Sequence, residues 1–516
     1  DPASKPKKPW PINIHERAWA TLTGQAIQSR AAFFKGFMRK FYVNDREHPY
    51  TTPKDAPFIW IRGRQSGGRA HMYGRVLLRW TDTDFKAKST TGQGVDWPIS
   101  YADIAPWYDL VEEFIGVSGS MEGLPQLPDG VFQPPMALNA VEADVRARIS
   151  ARWPDRRLMV GRTANLTEAK PGRARCQYRA ICQRGCSFGA YFSTQSSTLP
   201  AAQATGNLTL ATDALVEKLD YDPQSNRVTG VRWIDRSDNS RKSATARMVF
   251  LNAGSFNSVH LLLNSAGEAM PNGLANSSGV LGRYIMDHAS TLSAAALMPG
   301  FENVTTFGNR PTGVVIARYR NLDEMDGEGH TRGYSFQGGA LQSAWVRGKR
   351  EAGLGADYKH SLRGPGPWRM VLVAFADCVP RATNRLTLDR ANLDANGLPQ
   401  LKIDFAFGAE EHAALAQAKS DAADMLTHAG GRVLMGFDRP GTGGSAIHEM
   451  GGARMGHDPA TSVLNKWSQA HDIPNLFVTD GAQMASSACQ NPSLTYMALT
   501  ARACDHAVQL LREGAI

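Results

Sequence analysis

A chain of 516 residues is longer than a single hydrophobic core supports and points to two or three domains. Its 42% hydrophobic and 20% charged residues are those of a folded globular protein, and no apolar run reaches the 18 or more residues of a membrane span. The net charge of +9 is scattered, apart from "KPKK" near the start, which reads as a solvated tail, so nucleic-acid binding is not expected. The chain opens at Asp1 rather than methionine and shows no signal peptide, which suggests that an upstream segment has been removed. Residues 1–60 read as a Pro-rich, irregular extension with one helix near "ERAWATLTGQAIQSRAAFFKGFMRKF". Residues 61–80, "IRGRQSGGRAHMYGRVLLRW", form a Gly-rich turn region. Ser100 is the N-cap of a helix in "WPISYADIAPWYDLVEEFIGVSG", and a Pro-rich stretch runs from Leu124 to Pro135.

Residues 207–254 read as strands, "NLTLATDALVEKLDYD", "RVTGVRWIDR" and "ARMVFLNAG", with the turn "DPQSN" between the first two. "RMVFLNAG" closes on Gly254 and leads into a helical "FNSVHLLLNSAG", a strand–turn–helix unit of the parallel, nucleotide-binding kind. Residues 290–440 alternate strand-like runs with Gly-rich loops, including a hairpin over "NRLTLDRANLDANGLPQLKIDF" that turns at "DANG". A strand "NLFVTD" and a helix "PSLTYMALTARACDHAVQLL" end the chain; Asn491 is suited to cap that helix and Pro492 to open it. The positive end of its dipole also favours an anion, such as a reduced flavin.

Three of the six cysteines, Cys176, Cys182 and Cys186, fall within "CQYRAICQRGC". Cys378, Cys489 and Cys504 lie far away in sequence. Zinc lacks a fourth ligand in this stretch, a disulfide strands one thiol, and buried structural thiols remain open.

Several stretches carry a family likeness. "HEMGGARMGHDP…NLFVTDGAQMASSACQNPSLTYMALTARACDHAV" resembles the C-terminal signature of the glucose–methanol–choline (GMC) flavin oxidoreductases. "GRQSGGRAHMYGRVLLRW" resembles their Gly-rich loop over the flavin, and "LNAGSFNSVHLLLNSAG" their second nucleotide-proximal turn. The likeness spans roughly residues 50 to 516, and is nearest to bacterial sugar and glycoside dehydrogenases and pyranose oxidases. It implies an α/β (α+β) fold. A discontinuous, Rossmann-like FAD domain is expected from residues 61–100, 165–290 and 441–516, and a substrate domain with an antiparallel sheet from 101–164 and 291–440. No G-x-G-x-x-G unit follows a strand anywhere in this chain, so the unit that meets the FAD pyrophosphate in the family is not present in it.

By the same likeness, His448 and Asn491 occupy the positions of the catalytic pair, the histidine as base for the substrate hydroxyl and the Asn as a hydrogen-bond donor to its oxygen. A lone histidine reads as a packed core residue; the family context reverses this for His448, while His288 and His457 are left as packed polar residues. Gly67, Gly68, Val216, Ala253, Gly254, Asp480, Gly481 and Pro492 match cofactor-binding positions. Met72 stands where some relatives attach flavin through a histidine, with His71 one residue off, so FAD is expected to be noncovalent. C-x₅-C-x₃-C resembles the [3Fe–4S] ligand run of certain FAD-dependent sugar dehydrogenases. Arg175, Arg179 and Arg184 are then expected to offset its negative charge. The expected function is oxidation of a sugar or glycoside secondary hydroxyl, such as C3. Electrons would pass to a cytochrome c-type acceptor, alongside a small subunit, in a bacterial periplasm. An oxygen-using oxidase and a noncatalytic flavoprotein-like subunit are the alternatives.

Overall fold

The computed structural model describes residues 16–31, 34–182, 185–306, 308, 310–322, 325–344, 347–348 and 351–516. The basic run at residues 5–8 and Arg184 lie outside them. The strands are β1 Leu158–Val160, β2 Ala214–Asp222, β3 Arg227–Asp235, β4 Arg241–Thr245, β5 Val249–Leu251, β6 Ala289–Met298, β7 Val314–Ile316, β8 Tyr334–Gln342, β9 Trp368–Ala376, β10 Arg385–Leu393, β11 Pro399–Asp404, β12 Arg432–Met435 and β13 Leu476–Val478.

β5 and β13 pair in parallel, Leu476 opposite Val249 and Val478 opposite Leu251. Both are short apolar runs, as a parallel pair covered on both faces requires. β5 turns at Gly254 into the helix Ser255–Asn264, and β13 turns at Asp480. β2, β3 and β4 form an antiparallel meander, its first turn tied by Asp222, which accepts from the Gln224 and Ser225 backbone and the Ser225 hydroxyl. β10 and β11 form the expected hairpin, Leu388 opposite Leu401.

The large sheet has the order β1-β7-β8-β9-β6-β12 and every pairing in it is antiparallel. Successive side chains of a strand take opposite faces. On β9, Trp368, Met370, Leu372, Ala374 and Ala376 are buried in a core shared with the helices Ala140–Arg152 and Ala409–His428. The other face carries Phe375, which meets His448. β8 repeats the pattern: Tyr334 and Phe336 are in that core, whereas Ser335 and Gln337 reach the segment 487–491.

A second core gathers Trp80, Trp97, Tyr108, Phe256, Leu476 and Leu499, among others. By packing, the helix Tyr101–Ile115 and the β10–β11 hairpin side with this core. Ser100 caps its helix as expected, in a box with Asp103. The helix expected over 16–41 is instead broken into Glu16–Leu22 and two short 3₁₀ turns. Gly24 is the reason: at φ +87° it leaves the helical region, and the Asn44 side chain fills the space a Cβ would take. Ala20, Phe34, Met38 and Phe41 then pack on Ile61 and Met72 beside the Gly-rich loop. No helix among the described residues is long and apolar enough to cross a membrane.

Candidate active site

His448 lies where three elements meet: the segment 444–450, the face of β8 and β9, and the segment before the C-terminal helix Ser493–Arg512. Its Nε2 is 3.3 Å from Asn491 Nδ2, and its Nδ1 is 2.8 Å from His288 Nδ1. Gln337 Nε2 donates to Asn491 Oδ1 at 2.6 Å, which leaves the amide nitrogen of Asn491 turned to His448. Asn491 therefore does not cap the helix. Pro492 holds the cap position, and its ring has no atom to make a side-chain cap bond, while the Asn491 oxygen serves Gln337.

The backbone around His448 is held by a buried carboxylate. Asp287 accepts from the His448 N–H at 2.9 Å and from the Ala446 N–H at 3.3 Å. Burial first, then the charge of Glu449, pushes its pKa up to about 7. Ile447 sits at φ +62°, a costly place for a β-branched residue, so its surroundings must impose it. Burial, with His288 and Arg69 adding to it, holds His448 well below the ordinary histidine range.

The cofactor candidates assemble in part. The Gly254 N–H donates to Asp480 Oδ2 at 2.9 Å, and Ser258 Oγ and the Ala482 N–H donate to the same carboxylate, so the turns after β5 and β13 are one unit. The Ala253 N–H donates to Ser258 Oγ at 3.1 Å in that unit. Gly254, at φ +87°, has nothing within 4 Å of where a Cβ would stand, and Gly68 has only the Gly63 carbonyl oxygen at 4.0 Å. Bare backbone at the carboxyl ends of parallel strands fits the close approach of a dinucleotide. Gly67 is closed over by the Gln195 side chain, and Gly481 by the Glu449 carbonyl oxygen. Arg69, from the Gly-rich loop, pairs with Glu449 at 2.6 Å and so ties that loop to the residue after His448. Val216 is not brought to this unit by its side chain, which is exposed on β2, with Val216 paired to Trp233.

The three clustered thiols are free and half-buried. Burial, then the Cys176 and Cys186 charges, pushes the Cys182 thiol up to about 11. Cys182 and Cys186 line a small cavity with Phe41, His71, Arg75 and Tyr191, so the thiol loop abuts the Gly-rich loop. Among the described residues, no group of three His, Cys, Asp or Glu side chains is set to hold a metal ion. The cations expected beside the thiols are also different: Arg175 and Arg179 are exposed, whereas the buried Arg75 and Arg173 act on Cys182 and Cys186. Spacing within the run cannot reveal Arg75, a hundred residues upstream.

His288, Gln337, Asp287 and Arg69 were not marked as site residues. His288 is packed, as expected, but against His448. Period-2 alternation along "YSFQGGALQ" is the signal in the sequence that could have placed Gln337 opposite the buried face.

A histidine with one ring nitrogen facing an amide donor, beside bare nucleotide-type turns, fits an oxidoreductase. Models of the GMC oxidoreductase family match residues 36–290 with the N-terminal part and 380–500 with the C-terminal part. The chain belongs to this family. It is 29% identical over 460 residues to 2-methyl-1,2-propanediol dehydrogenase of Mycolicibacterium austroafricanum, covering 85% of this chain and 80% of that one. It is 27% identical to the fructose dehydrogenase large subunit of Gluconobacter japonicus, covering 87% and 81%. Formate oxidase of Aspergillus oryzae shares the fold, with a TM-score of 0.62 and 12% identity over 95% of this chain and 91% of that one. Membership of a flavoenzyme family supports FAD as the cofactor.

Proposed function

We propose that this protein oxidises a secondary hydroxyl of a sugar or glycoside, at a ring carbon such as C3, to a ketone. The observation that carries this reading is His448 Nε2, held 3.3 Å from the Asn491 amide nitrogen beside the face of β8 and β9 that carries Gln337 and Phe375. Bound FAD supplies the hydride acceptor. His448 Nε2 takes the hydroxyl proton as the carbon loses its hydride, and Asn491 Nδ2 donates to the same oxygen and orients it. Gln337 holds the amide the right way round for that bond. Gly68, Gly254 and the Asp480–Gly481 turn would hold the cofactor, Ala253 and Pro492 flanking it and Val216 contributing backbone. This chain's own turns fit that role.

For the electron route we propose that Cys176, Cys182 and Cys186 ligate a [3Fe–4S] cluster that serves a cytochrome c-type acceptor, with a small subunit and a periplasmic location. Three free thiols in one loop, two of them facing a cavity shared with His71 and Arg75, support this. So does the likeness to a dehydrogenase large subunit. The thiols are not grouped as ligands in this structure, and that observation favours the second reading, an oxygen-using glycoside oxidase. Iron and acid-labile sulfide analysis of anaerobically purified protein separates the two. About three irons per flavin, with turnover on a cytochrome c, is the expected result; absence of iron together with peroxide formation establishes the oxidase.

A further inference from the structure

His288 immediately precedes β6, and its ring is buried. Its two nitrogens each have one partner: Nε2 meets the Ala488 carbonyl oxygen, and Nδ1 lies 2.8 Å from His448 Nδ1. A carbonyl oxygen only accepts, so the hydrogen of that contact sits on His288 Nε2. A neutral imidazole carries a single N–H, so His288 Nδ1 is a lone pair. Burial lowers the His288 pKa to about 4, which keeps the ring neutral near pH 7. The 2.8 Å contact then needs a hydrogen from His448 Nδ1, and this leaves His448 Nε2 bare.

We propose that His288 is a positioning residue for the reaction: anchored on the Ala488 carbonyl, it accepts the Nδ1–H of His448 and so locks His448 in the tautomer whose Nε2 lone pair faces Asn491 and the substrate hydroxyl. This rests on the proposed role of His448 as base. The same bond acts during the proton transfer. The hydroxyl proton adds to His448 Nε2, the Nδ1–H stays bonded to His288, and the new positive charge is shared over the two rings with no proton leaving the pair. The contact holds because both ends are fixed: Asp287 accepts from the His448 backbone N–H, and the Ala488 carbonyl belongs to the segment that carries Asn491. Facing the pair, Arg69 disfavours the imidazolium, Glu449 is paired with Arg69, and Asp287 lies below the backbone. β8 and β9 present the neutral Gln337 and Phe375.

Two variants of the holoenzyme test this. His288→Leu removes the acceptor, and His288→Asn keeps an oxygen near the Nδ1 position. Flavin bleaching by sugar, followed anaerobically across pH, should fall about 10–100-fold at saturation in His288→Leu, with the half-saturating sugar concentration changed less than about threefold. His288→Asn should recover part of that loss. Side-chain ¹⁵N NMR of histidine-labelled holoenzyme, with the His448 signals identified by their loss in His448→Ala, should show the Nδ1–H form in the native protein and loss of that form in His288→Leu. A native Nε2–H form, or an Nδ1–H form unaltered in His288→Leu with an unchanged rate, overturns the proposal. The arms separate the two claims: full bleaching in His448→Ala refutes the base, whereas the NMR reads the lock directly.

Discussion

For the base role proposed for His448, burial first, then His288 and Arg69, hold its pKa down and keep it unprotonated. A depressed pKa means that the competent, neutral form is lost only as pH falls through that lowered value. Flavin reduction at low sugar is therefore expected to be flat across the neutral range, with its acid limb below about 6.5, the ordinary histidine value. A pH profile of kcat/KM checks this, and an acid limb at or above that value contradicts it. His288 carries the matching stability term. Its folded pKa of about 4 lies below the unfolded value, so its contribution is full above the ordinary histidine range and is lost as pH falls through about 4. At this scale His448 and Asn491 were marked by motif likeness, and the structure brings the two side chains together. The partner of His448 was not: a histidine 160 positions upstream gives no local sign of which ring it will meet.

Elements were legible where their periods are strong. The β2–β3 pair, the β5 strand–turn–helix and the β10–β11 hairpin follow from alternation and turn residues. The Ser493–Arg512 helix was expected too, but with the wrong cap, since local propensity cannot foresee that Gln337 claims the Asn491 oxygen. The turns that join these elements set the site, and Gly481 shows it. A Cβ there would stand 2.6 Å from the Glu449 carbonyl oxygen, so Gly481→Ala must move backbone next to His448. We expect a loss of about 1–3 kcal/mol and slower flavin reduction, read by thermal unfolding and rapid mixing. Gly254→Ala has open space but a φ of +87°, so its direct cost is nearer 1 kcal/mol, and a fall in flavin content is the informative result.

Across the whole molecule the His448–Asn491 pair lies at the seam of two cores, with Met450 in one and the buried face of β8 and β9 in the other. Chain length pointed to two or three domains. Which segments join which core depends on long-range packing, as the hairpin and the helix Tyr101–Ile115 show. The thiol loop is the part of the proposed electron route that the sequence marks, by three cysteines in one short run. Cys182→Ser is expected to abolish reduction of a cytochrome acceptor while sugar-driven flavin reduction stays within about twofold, because a relay acts after the hydride has left. Equal loss of both would place Cys182 in folding rather than in electron exit.

The central claim is that His448 takes the substrate proton, and anaerobic rapid mixing of holoenzyme with a panel of sugars and glycosides tests it most directly. Flavin bleaching in His448→Ala should be slower than in the native protein by about 10²–10⁴-fold, with flavin content and thermal stability retained. Bleaching at the native rate in that variant would contradict the account.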